Sequence, residues 1–216
     1  MIDRIKEKVS TMFPSDKKES TAEDPKVILV NTGGDGEPEP ELRVVGLYTD
    51  ITEEKVAEIT QALLYLNEAN RLKEDEKEKK PIDFYISTYG GNADDMFALY
   101  DIMKQVEKET EIHTIGMGKV MSAGVLLLAG GTPGHRQIGR NCRVMLHSVS
   151  SGNHGDLQNL VNEVEAIQEL QEMYINCLAQ ETKMTKSQVK KMLERKVNVY
   201  LSAEQAVEYG IADKVL

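Results

Sequence analysis

The 216-residue chain lacks any apolar run long enough to cross a bilayer. The longest, Ala123 to Ala129, is interrupted by Gly124 and falls far short of the roughly 20 residues a span requires, so no membrane partner is expected. Positive charge is also scarce. With 26 basic against 36 acidic residues the formal net charge is −10, which repels a phosphate backbone and argues against nucleic acid as the main partner. Only two cysteines are present, Cys142 and Cys177, so at most one bridge could form, and a reducing cytoplasmic compartment is expected. The N-terminal MIDRIKEKVSTMF places Asp3, Arg4, Lys6, Glu7 and Lys8 where a secretory signal needs a continuous apolar region, so no export signal is read. No G-x-x-x-x-G-K-S/T sequence occurs, hence no nucleotide site is expected in this chain. His113, His135 and His154 show no metal-ligand spacing with His147, and no metal is assigned.

What is present is the composition of one ordinary folded domain, 40% hydrophobic and 29% charged. Residues 1–25 read as a flexible or docking arm: Ile2, Ile5, Val9 and Met12 recur at helical spacing before Pro14 and a polar stretch. Residues 26–216 read as the main domain. Asn31 to Glu41 is a Gly/Pro-rich loop between two strands, the second being LRVVGLY. Val56, Ile59, Leu63 and Leu66 line one face of a helix from Thr52 to Asn70, with Asp50 and Glu53 spaced as a capping box. Nine of the ten residues from Arg71 to Lys80 are charged with mixed sign, which predicts a solvated helix end or loop.

The segment IDFYIST is a strand, Gly90-Gly91 a turn, and Asn92 to Lys108 a helix; EIHTIGMG is a second strand and VMSAGVLLLAGG a short helix beginning near Ser122. Two strand-to-helix units in succession predict a parallel sheet with crossover helices, an α/β fold. RVMLHS is a further strand. Asp156 to Glu181 is a helix long enough to project from a compact domain, with Leu157, Leu160, Val164, Ile167, Tyr174 and Leu178 near one face that asks for a partner surface. Two short helices follow, Thr185 to Glu194 and Ser202 to Tyr209, the second opened by Ser202 and Gln205.

Chemistry concentrates at three turns. Ser122 stands where a strand enters a helix, flanked by Gly118 and Gly124: as a nucleophile it would have backbone N–H groups and the helix dipole to favour an oxyanion, while as an N-cap it would only satisfy the helix end. His147 closes a strand and is either a general base or a hydrogen-bonded structural residue. Gly90-Gly91 either offers N–H groups to an oxyanion or makes a tight turn. Asp94 and Asp95 suit the first turn of a helix and are given no catalytic part.

In order along the chain, FYISTYGGNADDMFALYDIM, GKVMSAGVLLLAGG, RVMLHS and YLSAEQAVEYGIAD resemble the strand–glycine turn–helix, nucleophile, histidine and C-terminal segments of the proteolytic subunit of the Clp protease, the ClpP family. The resemblance covers approximately Val27 to Leu216. It implies a crotonase-like α/β fold of repeated β-β-α units with a protruding handle helix. It also implies a homo-oligomer of two stacked heptameric rings, a tetradecamer, and a serine peptidase whose sites face an enclosed chamber. Ser122 takes the place of the nucleophile, His147 of the general base, and the N–H groups of Gly91 and Ala123 of the oxyanion hole. The long helix from Asp156 takes the place of the handle. Unfolded polypeptide is the implied substrate and a separate AAA+ unfoldase the implied partner. ATP would be used by that partner, and no cofactor is implied in this chain.

The sequence departs from the family at several points. Ala123 stands where Met is more usual, without consequence for a backbone N–H. Ser148 and Val149 follow His147 where the family commonly has a proline, and the charged stretch from Arg71 to Lys80 is longer than usual. The largest departure is Asn198, two residues before Tyr200, where an aspartate normally orients the histidine. An amide oxygen can accept from imidazole but cannot stabilise imidazolium by charge. Three readings therefore stand: a serine endopeptidase with an asparagine triad, a catalytically degraded ring subunit supplying architecture, and, more remotely, a crotonase-fold acyl-CoA enzyme. Rescue by another carboxylate, such as Glu194, would need a different local path.

Overall fold

The structure is a computed structural model that describes residues 42–152, 154–194 and 197–216. The expected N-terminal arm, its boundary at residue 25 and the loop from Asn31 to Glu41 lie outside the described residues. From β1 (Val44–Leu47) the order alternates strand and helix: α1 (Glu53–Arg71), β2 (Ile82–Thr88), α2 (Ala93–Val106), β3 (Ile112–Met121) and α3 (Ala123–Ala129). Then come β4 (Gln137–Ile138), β5 (Arg143–Leu146), α4 (Leu157–Glu181), α5 (Lys186–Leu193), β6 (Val199–Leu201), α6 (Ala203–Glu208) and β7 (Lys214–Val215).

Among the described residues seven strands form one mixed sheet. β1, β2 and β3 are parallel neighbours, as successive strand-to-helix units require. β3 then forks: Ile115 and Gly116 pair with β4, which passes the sheet on to β7, whereas Lys119 to Met121 pair with β5. Gly118, at φ 65°, lies between the two pairings, a conformation glycine adopts without the Cβ penalty. β6 closes the β5 branch antiparallel, with Val144, Met145 and Leu146 facing Leu201, Tyr200 and Val199. The strands β4, β6 and β7 are two or three residues long, too short to show periodicity, and the sequence reading did not separate them.

The core explains the apolar runs. Ile82, Phe84, Ile86 and Thr88 of β2 are fully buried in alternation with half-exposed neighbours, and every residue of α3 is buried, packed against β3, α2 and α4. Truncating a side chain such as Phe84 to Ala would cost about 3–5 kcal/mol. A helix apolar all round is therefore a central element, not a membrane one. Among the described residues no helix is long and apolar enough to cross a membrane.

Helix starts follow their side chains. Asp156 caps α4, Thr185 caps α5 with Gln188 in a reciprocal box, and Ser202 and Gln205 form the expected box at α6. At α1 the expectation needs correction: the cap is Thr52, which accepts from the Lys55 N–H, and not Asp50. The reason is tertiary. Ile51 is held extended against the glycine turn, donating to Gly90 O at 2.8 Å and accepting from Asn92 N–H at 3.0 Å, so the helix cannot begin before Thr52. The charged stretch after α1 is a surface loop with a single 3₁₀ turn, Glu76–Glu78. Buried Asn70 anchors it, exchanging hydrogen bonds with the backbone of Lys80.

α4 has two unlike halves. Tyr174, Ile175 and Leu178 are buried, while Leu157, Val161 and Val164 are 79%, 44% and 53% exposed. Both cysteines are free thiols; Cys142 is buried, which pushes its thiol up to about 11, and burial likewise raises Cys177.

Candidate active site

Ser122 joins β3 to α3 at φ 54°, ψ −124°, the one non-glycine with positive φ among the described residues. Such a backbone costs of order 1–3 kcal/mol and persists only where its surroundings fix it. Here they do. Its N–H donates to Met145 O of β5 at 2.7 Å, and its carbonyl accepts from the Val125 N–H at 3.0 Å and from the Tyr174 hydroxyl at 2.9 Å. The Ser122 side chain makes no capping hydrogen bond, so the reading of this residue as a simple N-cap does not hold. Its Oγ instead lies 2.8 Å from Nε2 of His147, which follows the end of β5. Neighbouring strands β3 and β5 thus deliver the two side chains to one point.

The glycine turn after β2 packs on the same point. A Cβ on Gly90 (φ 110°) would come within 2.7 Å of Ser122 Cβ, and one on Gly91 (φ 154°) within 2.2 Å of Ile51 O. Both positions need glycine for space as well as conformation. Gly91 and Ala123 line the groove in which Ser122 and His147 stand. Among the described residues neither backbone N–H has a hydrogen-bond acceptor. The groove measures about 630 Å³, and Phe97 of α2 with Ile167, Leu170 and Met173 of α4 give it an apolar wall.

Asn198 precedes β6. Continuing the β5–β6 register by one residue sets it directly opposite His147, where antiparallel partners bring their side chains to one face. The Asn198 side chain is exposed, and among the described residues no hydrogen bond joins it to His147. Glu194 ends α5 as an exposed cap residue. Asp94 and Asp95 occupy the first turn of α2, as expected of helix-start carboxylates.

Sequence reasoning missed the part of Tyr174 and, although it offered Gly90-Gly91 as an oxyanion or tight turn, the packing of Gly90 on Ser122. The helical repeat puts Tyr174 on the apolar face of the long helix, yet its hydroxyl holds the Ser122 carbonyl, and full burial raises its phenol far above the ordinary range. Nothing in a helical repeat separates a packing tyrosine from one that reaches a strained turn. Gly90 carries a weak signal, the doubled glycine, but its contact with Ser122 exists only in three dimensions.

A serine hydrogen-bonded to a histidine, beside two backbone N–H groups with no acceptor among the described residues and an apolar groove, is an arrangement that acyl transfer can use. The Clp protease family model matches residues 40–216, and the chain belongs to that family. Over 177 residues it is 33% identical to the ATP-dependent Clp protease proteolytic subunit 3 of Frankia casuarinae, an alignment covering 81% of this chain and 76% of the relative.

Proposed function

We propose that this chain is a serine endopeptidase of the Clp type, cutting unfolded polypeptides inside a chamber built from its own copies and fed by a separate ATP-driven unfoldase. The observation that carries the reading is the 2.8 Å contact between His147 Nε2 and the uncapped Oγ of strained Ser122. The Ser122 Oγ attacks the peptide carbonyl as its proton passes to His147 Nε2. The carbonyl oxygen, now an oxyanion, is held by the N–H groups of Gly91 and Ala123. The tetrahedral intermediate collapses when His147 returns the proton to the leaving amine, and a water activated by His147 then releases the acyl group by the same steps in reverse. For Nε2 to accept from serine the imidazole must carry its proton on Nδ1, and the Asn198 amide oxygen is the group that the β5–β6 register offers to receive it. The apolar wall favours substrates with an apolar side chain next to the cleaved bond.

Assembly rests on α4, whose N-terminal half leaves Leu157, Val161 and Val164 in solvent on a helix of 25 residues. In a stacked double ring that half would lie between rings. Val161→Lys with Val164→Lys places two charges there, and sedimentation should show single rings or smaller species; an intact double ring would overturn the assignment.

A second reading, a degraded subunit that only contributes architecture, is favoured by the exposure of Asn198 and by the absence of a described hydrogen bond to His147. Labelling of the assembled protein with a serine-directed phosphonate separates the two. Covalent labelling that disappears in Ser122→Ala and slows strongly in His147→Ala supports the peptidase. No labelling of an intact assembly supports the degraded subunit. Removing either residue of such a pair lowers turnover by up to about 10⁶.

A further inference from the structure

We propose that Glu111, His113 and His135 bind one divalent transition-metal ion, with Zn²⁺ the best match, at the end of β3 remote from Ser122. Their donor atoms lie within 4.8 Å of one another. The sequence hides this, because 22 residues separate the two histidines in a spacing typical of no metal motif. The fold removes that separation: Glu111 and His113 are two apart at the start of β3 and so project from one face, while His135 comes from the turn between α3 and β4.

The geometry suits a metal in four respects. First, Nε2 of His113 and Oε2 of Glu111 are 3.2 Å apart, close to the edge of about 3.3 Å expected between two ligands of a tetrahedral ion with bonds near 2.0–2.1 Å. Second, the His113 and His135 rings are near enough to share an ion, with centroids 4.3 Å apart, although their planes, parallel within 5°, aim the nitrogens side by side so that one ring must turn. His135 is exposed, so its ring can tilt to bring its nitrogen onto the same ion. Third, Asp83, the direct partner of His113 across the β2–β3 pairing, places Oδ1 3.4 Å from His113 Nδ1. A carboxylate on the far nitrogen of a ligand histidine orients the ring and raises its basicity, which is how metal-binding histidines are commonly supported. Fourth, the turn is held in place. Thr132 exchanges two hydrogen bonds with the Ile112 backbone, at 2.8 and 2.9 Å, and Asp213 accepts from the N–H groups of Gly134 and Arg136 on either side of His135.

Two imidazoles and one carboxylate form a donor set of borderline softness, suited to Zn²⁺ rather than to Mg²⁺ or Ca²⁺. Ser122 lies nine residue steps beyond His113 along β3 and its end, up to about 30 Å when extended, so the ion would not reach the reacting serine. Its action is structural: it ties the turn carrying His135 to the strand entering the core.

The test is calorimetric titration of the assembled, chelator-treated protein with Zn²⁺, together with Co²⁺ absorption as a geometry probe. The wild type should bind one equivalent per chain at the cluster, show a tetrahedral Co²⁺ spectrum and melt at a higher temperature with Zn²⁺. His113→Ala and His135→Ala should each weaken binding by at least about 100-fold and abolish the melting shift, and Asp83→Asn should weaken it about 10-fold. His154→Gln should bind like the wild type. Titrations of the two histidine variants that match the wild type, or binding lost only in His147→Ala, would overturn the site. These residues are exposed or half-exposed, so the variants should fold, and unchanged melting without metal would verify it.

Discussion

The two ends of β3 place chemistry in opposite ways. At its C-terminal end Ser122 is set by a local device, a strand running into a helix through a strained residue between glycines, and the His147 beside it comes from the neighbouring strand. At its N-terminal end Glu111, His113, Asp83 and His135 come from two strands and a turn with no local signature at all. Reactive groups that depend on a strained backbone write themselves into the sequence, because few residue patterns tolerate the strain. Ligands gathered on an unstrained sheet surface need only face the same way.

The largest effect that would sharpen this comparison is at Asn198. If the β5–β6 register delivers it to His147 Nδ1, Asn198→Asp supplies the missing charge and stabilises imidazolium, and peptide turnover should rise, by as much as roughly 10⁴. Asn198→Ala should lower it. Peptide cleavage by both variants, alongside an inert Ser122→Ala control, checks the assignment. If Asp and Ala variants both match the wild type, Asn198 is not the orienting residue.

A smaller effect is expected at Gly90, where conformation and space act together. Gly90→Ala forces a Cβ to within 2.7 Å of Ser122 Cβ at a positive φ, and a shift of the serine by a fraction of an ångström to 1 Å should cost about 100-fold in kcat. Thermal melting of the same variant distinguishes a displaced nucleophile from an unfolded chain. Retained folding with unchanged kcat would break the argument that the glycine turn positions the serine.

The smallest effect belongs to the opposite end. Burial alone would raise the Asp213 carboxyl, but hydrogen bonds from the Arg136 side chain and from the Arg136 and Gly134 backbone outweigh it and hold it below the usual carboxylate range. A depressed folded-state pKa adds stability above the ordinary carboxylate pKa of about 4 that is lost as the pH falls through the lower folded value. Asp213→Asn should therefore lower the melting temperature at neutral pH and flatten its fall below about pH 4. An unchanged melting profile would show that the pair contributes nothing to holding the His135 turn.

The sequence alone determined the long, strongly periodic or strongly punctuated elements. The alternating β2, the glycine turn, the apolar α3, the long α4, the capped α6, and the order of segments that marks the Clp protease family were all legible, because each depends on side-chain period, backbone conformational cost or a local cap. Ser122, His147 and the Gly90-Gly91 turn stood out for the same reason, since each sits at a strand end or turn, whereas the oxyanion parts of Gly91 and Ala123 were implied only by the family resemblance. Only the tertiary structure decided that Ser122 holds the N-cap position without a capping side-chain bond, that Thr52 and not Asp50 starts α1, that β3 forks, that the β5–β6 register continued by one residue sets Asn198 opposite His147, and that Tyr174 steadies the strained serine. Those facts depend on strand register and on contacts between distant segments. A chain of side chains carries no record of which distant backbone group it will meet, so pairing and packing had to supply it.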